Sequence, residues 1–278
     1  MTDLAEGADQ QDLETPDRVM RRFGVEVLGV DPRAATAVMS MPMAGMRNPF
    51  TDHGTVAALA ILIDMAGGMA NHVRRGPDEW TVSSELAIEL SPEGASCALE
   101  AADSLVIAEA RPLGSSGSSA LSVCTFTCDG IVIGGGTVRS YFISGDRIVV
   151  ADPPETVARK PNTALAELMG VQIAAAAEGM RVLRQLDDPI LRNGIGTMHG
   201  GVAAAALEMT ASALMNTDGA AFHTASVRAN FLRPFYASDH SRYVATPLRL
   251  GRGAAVSDSQ AIGADGRVAL TARVTAYR

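Results

Sequence analysis

Residues 193–216 read NGIGTMHGGVAAAALEMTASALMN, and they set a single carboxylate, Glu208, in an otherwise apolar, alanine-rich run. Ala, Leu and Met are strong helix formers, and a helix with no polar stripe at the 3.6-residue period must be surrounded by protein. An unpaired charge there would cost several kcal/mol, so the carboxyl group is protonated, paired or turned toward a pocket, and each choice shifts its pKa. His199-Gly200-Gly201 opens the run. Glycines at a helix start let a ligand approach the backbone, and the free N–H groups there favour developing negative charge. An acid beside such donors suits attack on a carbonyl carbon or activation of water.

The elements that must position this acid occur twice, because the chain is a duplication. Phe23-Gly24-Val25 answers Met169-Gly170-Val171, Asn48 answers Asn193, Ser91-Pro92 answers Arg233-Pro234, and Asp129-Gly130 answers Asp265-Gly266. The offset drifts in one direction, from 146 (169 − 23) to 136 (265 − 129), as two copies with unequal loops require. In the first copy, residues 48–71 form the matching apolar run, with one acid, Asp64, inside its apolar part. Aligning His53-Gly54 with His199-Gly200 competes with aligning Asp64 with Glu208. The spacing from each acid to Pro92 or Pro234 favours the acids. Alternation of apolar and polar residues predicts strands over 24–30, 35–41, 80–90, 98–110, 121–127, 222–232, 243–250 and 254–262, with a last strand after each Asp-Gly turn. The resulting domains are 16–143 and 163–278, joined by a linker over 144–162 and preceded by a disordered tail over 1–15.

Asn193-x5-His199-Gly200-Gly201-x6-Glu208, with Ser212 one helical turn later, resembles the PaaI-type thioesterases of the hotdog superfamily. The resemblance implies an α+β fold of two tandem hotdog domains, each a long helix wrapped by an antiparallel sheet and paired as a pseudo-dimer. It also implies hydrolysis of an acyl-CoA thioester, with coenzyme A entering as part of the substrate and no further cofactor. Length demands crossed sites. Nine residues separate His199 from Glu208, about 13 Å of helix, so one helix cannot bring both groups to one reacting atom. Antiparallel helices would instead combine Glu208 with Asn48, His53 and Gly54, and Asp64 with Asn193, His199 and Gly200. Gly201, Ser212 and Thr224 are expected at the substrate. Whether the acid is nucleophile or general base stays open. A hotdog hydratase or dehydratase and a non-catalytic acyl-CoA sensor or scaffold are the competing readings.

Composition narrows the partners. A net charge of −8 argues against nucleic acid. Residues 222–278, however, hold eight Arg and three Asp without Lys or Glu, a local balance of +5. Arg249, Arg252 and Arg233 are therefore the expected contacts for the phosphates of coenzyme A. The longest apolar run, 56–63, is far short of a membrane span of ~20 residues. An acidic, polar start lacks the pattern of a signal peptide, so the expected location is the cytoplasm and the expected assembly a homo-oligomer of double-hotdog chains. Three cysteines and five histidines show no metal-ligand spacing, and no metal site is expected.

Overall fold

A computed structural model of the chain describes residues 18–100, 105–147, 163–217 and 221–278. The expected tail over 1–15 and most of the expected linker over 144–162 lie outside these residues.

The strands follow the alternation that predicts them. Along β5 (Ser119–Cys128), Ala120, Ser122, Cys124, Phe126 and Cys128 point inward, and along β11 (Ala254–Ile262) Ala255, Ser257, Ser259 and Ala261 do the same. In chain order the first copy contributes α1 (Arg18–Phe23), β1 (Glu26–Asp31), β2 (Thr36–Pro42), the central helix α2 (Leu59–His72), β3 (Glu79–Leu90), α3 (Gly94–Glu100), β4 (Leu105–Pro112), β5 and β6 (Ile131–Ser144). The second contributes α4 (Leu165–Leu168), β7 (Val171–Ile173), β8 (Arg181–Gln185), the central helix α5 (Gly200–Met215), β9 (His223–Phe231), β10 (Arg242–Leu250), β11 and β12 (Val268–Tyr277). All described strand pairs are antiparallel. They form one sheet of twelve strands in the order β1-β2-β4-β5-β6-β3-β9-β12-β11-β10-β8-β7. The order is the same when read from either end, and the two copies meet where β3 pairs with β9, Ala87 opposite Arg228. This is the tandem hotdog arrangement.

The sheet curls around both central helices, which is why neither carries a polar face. Every residue of α5 from Gly201 to Met215 is buried. The helices run antiparallel, since the start of α5 lies against the middle of α2 while the entrance to α2 lies against the middle of α5. Gly201 makes this approach possible: a Cβ there would lie 2.7 Å from the Ala60 carbonyl oxygen. At the far ends of the sheet, Arg22 donates to the Leu168 carbonyl and pairs with Asp188 at 3.0 Å, so the two copies are also tied where each begins.

Two elements differ from expectation. Of the strand expected over 98–110, residues 98–100 belong to a short helix that starts at Gly94 and packs on β6, and the described strand runs from Leu105. The apolar run beginning at Asn48 is not helical throughout. The Asn48 side chain accepts from the Phe50 N–H and its carbonyl from the Asp52 N–H, which close a turn, and regular helix begins at Leu59. No helix of the described residues is long and apolar enough to cross a membrane.

Candidate active site

Glu208 is 1% exposed in the middle of α5, where both carboxylate oxygens are held by hydroxyl groups. Thr224, at the start of β9, donates to Oε1 at 2.5 Å, and Thr55, on the loop that enters α2, donates to Oε2 at 3.1 Å. Burial holds the carboxyl group above the ordinary carboxylate range, against the opposing pull of the Thr224, Thr55 and Ser212 hydroxyls. A carboxylate raised in this way is a stronger base than an ordinary one, which suits it to taking a proton. One side of the site opens into a cavity of about 330 Å³, whose polar lining includes Asn48, His53, Glu208, Ser212 and Thr224.

The two copies do cross at this acid, but through Thr55, which is not among the expected site residues. Thr55 precedes Asp64 by nine residues, as His199 precedes Glu208. The backbone bridges Arg47–Gly54 and Arg192–Met198 put both loops in this same register. Thr55 is thus the positional counterpart of His199. His53 is exposed at the cavity rim, and no described hydrogen bond joins it to Glu208. Gly54 lies five residues before α2 and so is not at a helix start. It forms the non-hydrogen-bonded pair with Arg47, bracketed by the Asn48 N to His53 O and Thr55 N to Met46 O bonds, so its own N–H points away from that strand. Asn48 does reach α5: its amide donates to the Met209 carbonyl at 2.8 Å and to the Ser212 hydroxyl at 3.1 Å. Both donor hydrogens are spent on clamping the loop to the helix, leaving neither for a substrate carbonyl.

Asp64 occupies the mirror position and is satisfied differently. Its Oδ2 accepts the Gly201 N–H at 2.6 Å and lies 3.5 Å from His199 Nδ1, while Oδ1 accepts the Ser83 hydroxyl at 2.7 Å. His199 also caps α5 through the same Gly201 N–H. The helix-start donor expected to face a substrate is taken by the protein's own carboxylate, which also gains from the helix dipole. A Cβ on Gly200 would meet Asp64 Oδ2 and the Phe231 ring at 2.9 Å each, so the space before α5 is filled. Asn193 accepts from Ile195, Thr197 N–H and Thr197 hydroxyl within its own loop. Trp80 packs on Gly194 of that loop and edge-on against His72, which burial and Arg75 hold neutral with a pKa of about 4.

The three expected arginines separate. Strand register puts the β10–β11 turn carrying Arg249 and Arg252 at the same end of the sheet as Thr224, with β12 and β11 between the turn and β9. At that end Arg278 also lies over the Phe222 ring that lines the cavity, 5.3 Å from its centroid. Arg233 follows the other end of β9, about 23 Å away along the strand. It lines a separate groove with Tyr236 and Arg267. Neither Thr55, which stands where the His-Gly pair at 53–54 would be followed by a second glycine, nor Ser83 is among the expected site residues; the nine-residue spacing to the acid is the signal that points to Thr55.

Residues 195–270 match the sequence profile of the thioesterase superfamily. No curated protein matches. Among solved structures, an acyl-CoA thioesterase II, TesB2, from Mycobacterium marinum is 14% identical with a TM-score of 0.58, covering 93% of this chain and 96% of its own. A hot dog fold protein of unknown function from Alicyclobacillus acidocaldarius is 11% identical with a TM-score of 0.58, covering 95% and 98%. The E. coli PaaI protein is 23% identical with a TM-score of 0.38, covering 41% of this chain and 86% of its own. The full-length similarities establish the fold.

Proposed function

We propose that this tandem hotdog protein, whose second copy matches the thioesterase superfamily, hydrolyses acyl-CoA thioesters at the Glu208 site. The observation that carries the reading is a fully buried carboxylate, raised in pKa, fixed by one hydroxyl from each copy and facing a cavity. In this reading the thioester carbonyl lies in the cavity with its oxygen toward the Gly54 N–H. Attack by water passes its proton to Glu208, or Glu208 itself attacks and the resulting anhydride is hydrolysed. Either route breaks the C–S bond, and the leaving CoA thiolate ends as free thiol. Thr55 and Thr224 keep the carboxylate from rotating, which preserves the short approach that the reaction needs.

Asp64 has a structural role in the same reading: its carboxylate, bound to the Gly201 N–H and the Ser83 hydroxyl, caps α5 and joins the copies. The test is thiol release from acetyl-, hexanoyl-, benzoyl- and palmitoyl-CoA by the intact protein and by Glu208→Gln. Release by the intact protein that Glu208→Gln abolishes is the expected result. Tight acyl-CoA binding without thiol release would instead make the protein a sensor.

A further inference from the structure

Helix α3 supplies Ala95, Ser96 and Leu99 to the lining of the Glu208 cavity, beside an apolar group from the first copy. Met43, Met46, Val56 and Ala95 line it as buried side chains, and Leu99 closes over Gly54, where an added Cβ would stand 3.3 Å from Leu99 Cδ2. This wall is fixed in place. A Cβ on Gly94 would lie 2.0 Å from the Ile133 carbonyl oxygen, so the start of α3 sits directly on the β6 backbone, and the Ser91 hydroxyl donates to the same carbonyl at 3.2 Å. Only the first copy has it: after Pro234 the second copy runs to β10 without a helix. The wall therefore belongs to the Glu208 cavity alone.

We infer that Leu99 limits the length of the acyl group, so that the site takes short straight-chain or single-ring acyl groups and excludes long fatty acyl groups. The inference rests on the thioesterase reading and adds a substrate class to it. At about 330 Å³ the cavity is near the lower bound of small-molecule pockets, and it must also admit the thioester and the end of the pantetheine arm. Against this apolar lining, each further buried methylene should tighten binding about fourfold. Once the chain reaches Leu99, an added methylene has no apolar space to enter and the gain stops.

The experiment is calorimetric binding of non-hydrolysable thioether analogues of acyl-CoA, from two to sixteen acyl carbons, with a benzyl analogue alongside. For the intact protein, affinity should climb about fourfold per methylene to about six carbons and then level or fall. Leu99→Ala removes an isopropyl group and should move the maximum about two carbons longer; Leu99→Trp and Ala95→Leu should move it shorter. An unmoved maximum in folded variants, or affinity that rises through sixteen carbons in the intact protein, would overturn the inference. Binding needs no turnover, so the two readings separate. A maximum that moves in a protein releasing no thiol defeats only the hydrolytic reading, whereas thiol release with an unmoved maximum defeats only the role of Leu99. No binding of any analogue removes both.

Discussion

Thr55 donates its hydroxyl to Glu208 at 3.1 Å although 153 residues separate them, and this bond joins the loop of one copy to the acid of the other. Replacing Thr55 with Val keeps the shape and deletes the donor. An unsatisfied buried oxygen costs about 1–3 kcal/mol, so kcat should fall about tenfold to a hundredfold. His53→Ala, at the exposed rim, should leave kcat within about threefold. A double-mutant cycle completes the comparison: Thr55→Val should add little to Glu208→Gln, because groups acting as one unit are not additive. Strong coupling of Glu208 to His199 in place of Thr55 would contradict the crossed site.

Glu208→Gln should remove activity and raise stability together. Burial raises the folded-state pKa, so the stability that Glu208 contributes is fully present below its unfolded pKa and is lost as pH rises through the folded value. Gln stays neutral throughout. The variant should therefore melt higher than the intact protein at neutral and alkaline pH, by about 2–4 °C per kcal/mol, with the difference shrinking in acid. The acid limb of kcat/KM in the intact protein should likewise lie above the ordinary carboxylate range. Equal melting temperatures at every pH would mean that burial does not tune this group.

Asp64→Ala removes the acceptor of the Gly201 N–H and the Ser83 hydroxyl. His199 Nδ1 still accepts the Gly201 N–H and Ser83 is only half-buried, so losing this acceptor should cost about 1–2 kcal/mol. In the fraction that remains folded, thiol release per chain should be nearly unchanged, and active-site titration of the intact protein should count one site per chain. Halved turnover with unchanged melting would make Asp64 a second catalytic acid.

Arg252→Ala should raise KM for acyl-CoA about fivefold to tenfold at low salt and hardly affect a pantetheine thioester that lacks the nucleotide, as expected for one phosphate contact. Arg233→Ala should change neither, since Arg233 lies at the opposite end of β9 from Thr224. Equal losses on both substrates for Arg252→Ala would remove its role.

Much of this was legible because period-two alternation is a local signal: β5 and β11 appear within a residue or two of where their inward residues place them. Helix α3 was not legible. Its residues alternate well enough to extend the next strand, and only the packing of Gly94 on Ile133, far along the chain, makes a helix of seven residues worthwhile. At the site, the His-Gly pair at 53–54 masks Thr55, since side-chain chemistry is more visible in a sequence than spacing. The capture of the Gly201 N–H by Asp64 was hidden for another reason. It depends on how closely two helices approach, and that distance is set by the Gly201 contact with the Ala60 carbonyl.

The palindromic strand order carries a last consequence, for assembly. Two copies of the second repeat alone could form the same β9-to-β9 seam, but each Glu208 would then meet a His199 where it now meets Thr55. Covalent fusion makes the mixed pairing intramolecular, at an effective concentration in the millimolar range, so the wrong symmetric partner is outcompeted at cellular dilution. Each repeat is thereby released from having to complement itself. One can keep a reactive acid and its cavity while the other spends the same position on holding the pair together.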